Sequence, residues 1–138
     1  MMQKRQRGLT LVELMVVVAV MAIIATIAYP IYTNQVQKSR RADAKVALET
    51  VAMAQERFYT INGEYAAGLS SLQVSTDIQG GASDQGYYNI TIARSGADNE
   101  QFTVTATASG SGPQAGDTAC PTFTINHQGV KTPASGCW

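Results

Sequence analysis

An apolar run near the N-terminus, from Leu14 to Pro30, is the feature that most restricts what this chain can fold into. Only Thr26 interrupts it, and no charged residue lies between Leu14 and Gln37. A helix needs roughly 20 residues at about 1.5 Å rise each to cross a bilayer. The sequence therefore predicts a helix long enough to span a membrane.

Glu13 is the unusual residue of this region, because it places a carboxylate next to the apolar run. An ionised side chain in hydrocarbon costs about 2.5 to 3.5 kcal/mol even on lenient insertion scales, so an acid is kept there only with a partner. Two interpretations stay open. Glu13 makes a specific contact, or it lies at the headgroup level with basic residues of the N-terminus as counter-charges, namely Lys4, Arg5 and Arg7.

Three kinds of N-terminal segment compete for residues 1 to 30: a cleaved secretory signal, an ordinary membrane anchor and a leader cut on the cytoplasmic side. A secretory signal has an apolar core of about 7 to 15 residues followed by a small-x-small cleavage site. This core is longer, carries Glu13 at its start and has no clear Ala-x-Ala at its end. An ordinary membrane anchor explains the length of the apolar run but does not explain the carboxylate of Glu13.

The segment Lys4–Leu14, with the sequence KRQRGLTLVEL, closely resembles the class III leader of type IV pilins, and the apolar run with Pro30 extends the resemblance to about residue 60. The resemblance implies cleavage after Gly8 and methylation of the new amino terminus at Leu9. The family usually has phenylalanine as the first mature residue, but processing tolerates other residues at this position.

The residues fit this chemistry. Gly8 has no side chain, so an extended backbone enters a peptidase site with little obstruction. The amine of a processed Leu9 would be a cation four residues before Glu13, and the two could neutralise each other within one subunit or between neighbours. The resemblance implies the contact between subunits, with Glu13 setting the axial register. Pro30 cannot donate a backbone hydrogen bond to Thr26, so a kink or a loosened turn is expected there. The resemblance to pilins suggests the alternative that this turn melts on assembly.

The fold class expected is α+β, with a long N-terminal helix packed on a small antiparallel sheet and a C-terminal disulfide loop, as the pilin resemblance implies. The predicted division is a leader over residues 1–8, a transmembrane or filament-core half-helix over 9–34, and a periplasmic or surface domain over 35–138. Residues at helical spacing predict that the helix starts at Leu9, continues to about Ile61 and stops at the cap pair Asn62-Gly63. The predicted apolar stripe consists of Ala44, Ala47, Leu48, Val51, Ala54 and Phe58.

Alternating patterns predict three strands after an irregular segment over residues 64–86, which would be anchored by Tyr65, Leu69, Leu72 and Val74. Residues 88–93 and 102–108 have the period of half-buried strands, and residues 94–100 form a polar hairpin turn between them. Residues 120–126 predict the third strand.

Cys120 and Cys137 are the only cysteines. If the domain is exported they should be joined, closing a loop of about 18 residues for about 3 kcal/mol in the chain-entropy model. Metal binding needs more ligands than two cysteines and one distant histidine, so a disulfide is favoured. With the leader inside and the domain outside, the pair would lie in an oxidising compartment.

The charge distribution weighs against a nucleic-acid partner. Removal of the leader leaves seven basic and ten acidic residues, and residues 62–138 carry a net charge of −4. A local patch around Arg94 and Lys131 is the remaining basis for DNA binding. A basic cluster at the end of the apolar half of the helix is interpreted as a headgroup or intersubunit contact; it consists of Lys38, Arg40 and Arg41.

Motifs for catalysis are absent from the sequence, so neither an enzyme nor a cofactor or metal site is predicted. His127 is interpreted as a structural residue in a turn. The segment Asp98-Asn99-Glu100 is interpreted as a solvated turn rather than a calcium loop, and the sequon Asn89-Ile90-Thr91 as a chance match.

The predicted function is a structural subunit of a type IV pilus, and a minor pilin because Thr124–Gly129 and Cys137-Trp138 resemble PilE-like minor pilins. The family implies roles in twitching motility, adhesion and DNA uptake. Implied partners are other pilins, the prepilin peptidase, the inner-membrane assembly platform and the membrane itself. The subunit would cross the inner membrane once and become extracellular in the pilus. Alternatives are a pseudopilin of type II secretion, a DNA-binding tip subunit and, least favoured, a membrane-anchored enzyme.

Overall fold

The structure, a computed structural model, describes residues 9–134 and 136–138, so the leader residue Gly8 lies outside the described part. The chain divides into two compact units, of which the first ends at Val36 and the second spans Gln37–Trp138. The elements in chain order are α1 (Leu11–Asn62), a 3₁₀ helix (Leu69–Ser71), α2 (Thr76–Gln79), β1 (Tyr88–Ser95), β2 (Gln101–Ala108), β3 (Thr122–Asn126) and β4 (Lys131–Thr132).

Helix α1 ends where its cap signal predicted. Gly63 adopts a φ of 76° directly after the last helical residue, and its N–H donates to the carbonyl of Tyr59 at 2.8 Å. This left-handed conformation suits glycine and closes the helix. The helix is continuous through Pro30, and its start at Leu11 lies two residues later than the predicted start at Leu9.

The four strands form one antiparallel sheet in the order β1-β2-β3-β4. The three predicted strands are confirmed, with ends that differ by one or two residues from the prediction. Strand β4 was not predicted because two residues are too short to show an alternating pattern. It pairs with β3 because Asn126 Oδ1 accepts hydrogen bonds from the N–H groups of Gln128 and Val130, at 3.0 and 2.9 Å, which tightens the connecting turn.

The core lies within the second unit, between the inner face of the sheet and the second half of α1. Five of the six predicted stripe residues are buried, and Phe58 is half-buried. Of the predicted loop anchors, Val74 is half-buried and the other three are buried. The sheet contributes Tyr88, Ile90, Phe102, Val104, Ala106, Phe123 and Ile125.

Tyr65 connects the loop after α1 to both layers of the core. Its ring centroid lies 4.7 Å from that of Phe102 and 4.6 Å from that of Tyr59. Burial, with a hydrogen bond from its hydroxyl to Glu56, raises the pKa of Tyr65 to about 12. The hydroxyl therefore stays protonated at physiological pH and acts as a donor.

Gln55 is a polar residue inside this core that the periodicity did not single out. It is fully buried, and its amide makes two bonds to the backbone of Ala66: Nε2 donates to the carbonyl at 3.0 Å, and Oε1 accepts from the N–H at 2.8 Å. The pair holds the loop after α1 against the helix and satisfies backbone groups that would otherwise be buried without partners.

Replacement of Gln55 by leucine should destabilise the domain by about 2 to 6 kcal/mol, because two backbone groups of Ala66 lose their partners and each buried group costs about 1 to 3 kcal/mol. Urea unfolding of the detergent-solubilised chain, followed by Trp138 fluorescence, measures the change. The exposed Gln85→Leu variant is the control, with an expected change below about 0.5 kcal/mol. Equal stability of the two variants would contradict the role of Gln55.

Candidate functional site

The apolar part of α1, residues 11–30, presents its side chains to the surroundings rather than to the protein. Its most apolar window has a mean hydropathy of 2.7, and none of that window is buried within the chain. Among the described residues, α1 is the one helix long and apolar enough to cross a membrane by length and composition. A surface of this size is unfavourable in water, so it requires lipid or other protein chains around it.

Thr10 explains why α1 begins at Leu11. The N–H of Glu13 donates to Thr10 Oγ1, and the N–H of Leu14 donates to the Thr10 carbonyl, each at 3.2 Å. The spacing Thr-x-x-Glu is that of a capping box, a signal that was present in the sequence and was missed. Leu9 therefore lies before the helix in this structure.

The Glu13 carboxylate is exposed, and no basic side chain within residues 9–134 or 136–138 lies within 4.0 Å of it. The capping bond uses the backbone N–H of Glu13, so its side chain is not needed for the cap. Within the described residues, the carboxylate therefore has no ion-pair partner.

The hydroxyl groups near Pro30 are satisfied inside the helix. Thr26 Oγ1 donates to the carbonyl of Ile23 at 2.7 Å, and Thr33 Oγ1 donates to the carbonyl of Pro30 at 3.0 Å. Because Pro30 has no N–H, the carbonyl of Thr26 lacks its usual helical donor. The region is apolar on its surface and has one weakened turn.

The second unit contains a buried ion pair that we call the Asp117 clamp. Arg41 Nε and Nη2 donate to the two carboxylate oxygens of Asp117 at 2.6 and 2.7 Å, and both residues are more than nine-tenths buried. The interpretation of Arg41 as a headgroup or intersubunit contact is wrong, because its guanidinium is used inside its own domain. Its neighbour Arg40 donates to the carbonyl of Pro113 at 3.1 Å and lies over the ring of Tyr87.

Gln114 and Cys120 complete the clamp. Gln114 Nε2 donates to Asp117 Oδ2 at 2.8 Å and to the carbonyl of Gln37 at 3.2 Å, while the N–H of Cys120 donates to Asp117 Oδ1 at 3.2 Å. The Arg41 guanidinium, helped by these donors, holds the pKa of Asp117 below its ordinary value despite burial. The same contact raises the pKa of Arg41. The clamp is therefore ionised across the physiological range.

The predicted disulfide between Cys120 and Cys137 is present, with a Cα–Cα distance of 5.8 Å. It holds the C-terminal residues over the end of the sheet. Trp138 Nε1 donates to the carbonyl of Thr132 at 2.8 Å, and the indole packs edge-on against Phe123 with centroids 5.8 Å apart. The clamp and the disulfide meet at Cys120.

The proposed basic patch does not provide free cations at Arg94 and Lys131. Arg94 Nη1 lies 3.4 Å from Glu64, and Lys131 Nζ lies 2.6 Å from Glu49. His127 lies in the turn after β3, as predicted. In the described part of the chain, no group of three or more His, Cys, Asp or Glu residues is arranged to hold a metal ion.

Replacement of Asp117 by asparagine should cost about 3 to 5 kcal/mol of unfolding free energy at neutral pH, because it leaves the Arg41 charge buried without a counter-charge. The Glu64→Gln control breaks the more exposed pair with Arg94 and should cost at most about 1 kcal/mol. Urea unfolding of the detergent-solubilised chain gives both values.

The loss of stability caused by Asp117→Asn should also depend on pH. Since the folded-state pKa of Asp117 lies below its unfolded value of 3.8, the clamp contributes fully above that pH and loses its contribution as the pH falls through the folded pKa. The difference in stability between the unmodified chain and Asp117→Asn should therefore narrow below about pH 4. A difference independent of pH would contradict a charged clamp.

Comparison with known proteins gives two family matches that together cover most of the chain. Residues 3–29 match the family described as prokaryotic N-terminal methylation motif, and residues 30–124 match the family described as type IV minor pilin ComP, DNA uptake sequence receptor. The second match covers the junction with the domain and most of the sheet.

Individual relatives agree with these matches. The chain is 32% identical over 106 residues to a fimbrial protein of Neisseria meningitidis, covering 72% of this chain and 62% of that protein. It is 31% identical over 120 residues to the type IV major fimbrial protein FimA of Dichelobacter nodosus, covering 70% of this chain and 77% of FimA. With PilA of Myxococcus xanthus, which is 39% identical over 62 residues, the match covers 45% of this chain and only 28% of PilA.

A solved type IV pilin from Shewanella oneidensis has a similar fold, with a TM-score of 0.55 and 30% identity, covering 74% of this chain and 97% of that one. The long N-terminal helix, the four-stranded antiparallel sheet and the C-terminal disulfide are consistent with this similarity. On the family matches, the sequence identity and the fold together, the chain belongs to the type IV pilin family.

Proposed function

We propose that the chain is a minor subunit of a type IV pilus, held in the inner membrane by residues 9–34 before it joins the filament. The observation that carries the proposal is the unburied apolar surface of α1 in a chain with an N-terminal methylation motif. Lipid covers this surface in the subunit pool, and the helices of other pilins cover it in the filament. The role is structural, and the family gives no reason to expect catalysis.

Processing would remove residues 1–8 by cleavage after Gly8 and methylate Leu9, with a prepilin peptidase as partner. The match of the methylation motif to residues 3–29 supports this step. The processed subunit would then be passed to the inner-membrane assembly platform. The boundary between the two compact units after Val36 supports a division close to the proposed one between residues 9–34 and 35–138.

The disulfide supports a topology with the N-terminus in the cytoplasm and the domain outside, because such bonds persist in oxidising compartments. The disulfide and the similarity to pilus subunits both favour a pilus subunit over a type II secretion pseudopilin. Twitching motility and adhesion remain proposed functions of the filament.

Glu13 would act in assembly through its carboxylate, which contacts the methylated amine of Leu9 on a neighbouring subunit. Two features support this. The carboxylate is exposed at the start of the apolar helix, and the helix cap depends on the hydroxyl of Thr10 and the N–H of Glu13 instead. Burial in a filament would strengthen the pairing of opposite charges. Pro30 would contribute by weakening one helical turn, so that the helix can extend.

Replacement of Glu13 by glutamine should leave a subunit that is still processed and inserted in the membrane. Its incorporation into filaments should fall at least about tenfold, because a lost buried charge pair worth about 1.4 kcal/mol or more corresponds to that factor. Quantitative mass spectrometry of sheared filaments and of membranes measures the partition. Thr10→Val is the control, because it removes the cap but keeps the charge. Normal incorporation of Glu13→Gln, or an equal defect in both variants, would contradict an assembly role for the carboxylate.

DNA uptake is a second proposed function, favoured by the match of residues 30–124 to the family of DNA uptake sequence receptors. The charge distribution restricts where DNA could bind. Arg94 and Lys131 are paired with carboxylates, whereas Arg57 is exposed and has no acid within 4.0 Å among the described residues. A phosphate contact from α1 is therefore preferred over the patch predicted from the sequence.

The detergent-solubilised chain should shift duplex DNA at low salt, with weakening as the salt concentration rises. Arg57→Ala should reduce the salt-dependence slope by about one unit, the value expected for one lost phosphate contact. Arg94→Ala is the matched control and should leave the slope unchanged. Absence of any shift at low salt would contradict DNA binding. Loss of DNA binding in Arg94→Ala but not in Arg57→Ala would instead place the site at the patch around Arg94 and Lys131.

A further inference from the structure

A cavity of about 500 Å³ lies at the end of α1, and we call it the Arg57 cavity. One wall comes from residues of α1 between Ala54 and Asn62, and the other from residues 71–73 of the loop after the helix. Pockets that bind small molecules have volumes of about 300 to 1,000 Å³. The Arg57 cavity is therefore large enough for a small organic ligand.

The inner lining of the cavity is apolar and is held in place by the fold. Ala54 and Leu72 are buried, and the ring of Phe58 is half-buried. The backbone of Leu72 is fixed on both sides, since its N–H donates to the carbonyl of Leu69 at 3.1 Å and its carbonyl accepts from Gln79 Nε2 at 2.9 Å. The cavity is thus formed before any ligand arrives.

Ile61 extends this apolar lining to the rim of the cavity. Its side chain is 81% exposed, the highest value among the large apolar side chains that the structure describes. Apolar surface bordered by polar residues is typical of ligand-binding grooves. The ligand should therefore have an apolar body, and Phe58 favours an aromatic one, because two rings can stack or meet edge to face.

The polar groups at the cavity favour an anion. Arg57 is the one charged residue among the described residues that line it, and no carboxylate of that part of the chain lies within 4.0 Å of its guanidinium. Ser71 and Gln73 add an exposed hydroxyl and an exposed amide, both of which can donate hydrogen bonds. The carboxylate of Glu56, next in the chain to Arg57, instead accepts from the hydroxyl of Tyr65 at 3.1 Å.

The end of a helix normally repels anions, because its last carbonyl groups carry partial negative charge. Here two of these carbonyls are already used. The carbonyl of Phe58 accepts from Asn62 Nδ2 at 2.9 Å, and that of Tyr59 accepts from the N–H of Gly63 at 2.8 Å. The guanidinium of Arg57 is therefore the dominant charge at the cavity.

We propose that the Arg57 cavity binds a small organic anion with an apolar body, of the class of aryl carboxylates. The carboxylate pairs with Arg57, whose planar guanidinium matches a carboxylate with two N–H groups, and the aryl group lies against Phe58 and Leu72. A bare inorganic anion would leave the apolar lining uncovered, and a neutral aryl compound would leave Arg57 unpaired. The site does not rest on the proposed pilus function.

The test is a titration of the isotope-labelled, full-length chain in micelles of a non-ionic detergent, followed by the NMR signals of its backbone amides. The probe is phenylbutyrate. Phenylbutanamide has the same apolar body without the charge, and acetate has the charge without the apolar body. Empty micelles with the same probes correct for partition into detergent.

Two pairs of variants locate the site. Arg57→Gln removes the cation of the cavity, and Lys38→Gln removes an exposed cation of α1 that does not line it. Ser71→Trp places an indole in the cavity, and Ser70→Trp places one on the neighbouring exposed residue outside the lining. All four positions are exposed, and the remaining amide signals report whether each variant is folded.

Phenylbutyrate should shift the amide signals of residues 57–62 and 71–73 with a dissociation constant of about 1 mM or below, as expected for a ligand of this size. Loss of the charge, in Arg57→Gln or in phenylbutanamide, should weaken binding at least about tenfold, because a hydrogen bond to a charged group is lost. Acetate should bind more weakly than phenylbutyrate, and Ser71→Trp should abolish binding. Lys38→Gln and Ser70→Trp should bind normally.

Three outcomes would overturn the proposal: no shift of these signals up to about 10 mM phenylbutyrate, equal binding of phenylbutanamide, or equal effects of Ser70→Trp and Ser71→Trp. The proposed DNA contact shares Arg57, so phenylbutyrate should also reduce the shift of duplex DNA. Phenylbutyrate binding by a chain that never shifts DNA supports the Arg57 cavity and contradicts the DNA proposal alone.

Discussion

The buried ion pair between Arg41 and Asp117 is the interaction on which the arrangement of the domain depends. It joins α1 to the loop before β3, and the same carboxylate accepts bonds from Gln114 and from the N–H of Cys120. A buried charge is tolerated only when it is paired and fully hydrogen-bonded, so these donors must be present together. The disulfide from Cys120 extends this anchoring to the last residues of the chain, where Trp138 covers Phe123.

A single helix serves two environments in this protein. Among the described residues, the side chains from Leu11 to Pro30 are all exposed, whereas the second half of the helix buries one stripe against the sheet. Exposure of this apolar half to water is unfavourable, so lipid or other protein chains must cover it. The folded domain is thereby attached to a segment whose stable environment is supplied by other molecules.

Much of the fold was predictable from the sequence because it depends on local patterns. The helix end at Gly63, the buried stripe, the three strands and the disulfide follow from backbone preference, periodicity and two cysteines. The partner of a polar side chain does not follow from such patterns. Arg41 was assigned to the wrong environment because Asp117 lies 76 positions away, and Gln55 was overlooked because its partner is a backbone amide. The capping residue Thr10 was recognisable from its spacing to Glu13 and was missed.

The sequence by itself determined the apolar helix, the methylation motif around Gly8 and Glu13 and the alternation of the strands, since each is encoded in neighbouring residues. Only the tertiary structure decided which charges are neutralised: it pairs Arg94 with Glu64 and Lys131 with Glu49, and it places Arg41 beside Asp117. The physical reason is that charge pairing depends on distances across the fold. Partners that lie far apart in the chain come within reach of each other only when the sheet packs on α1.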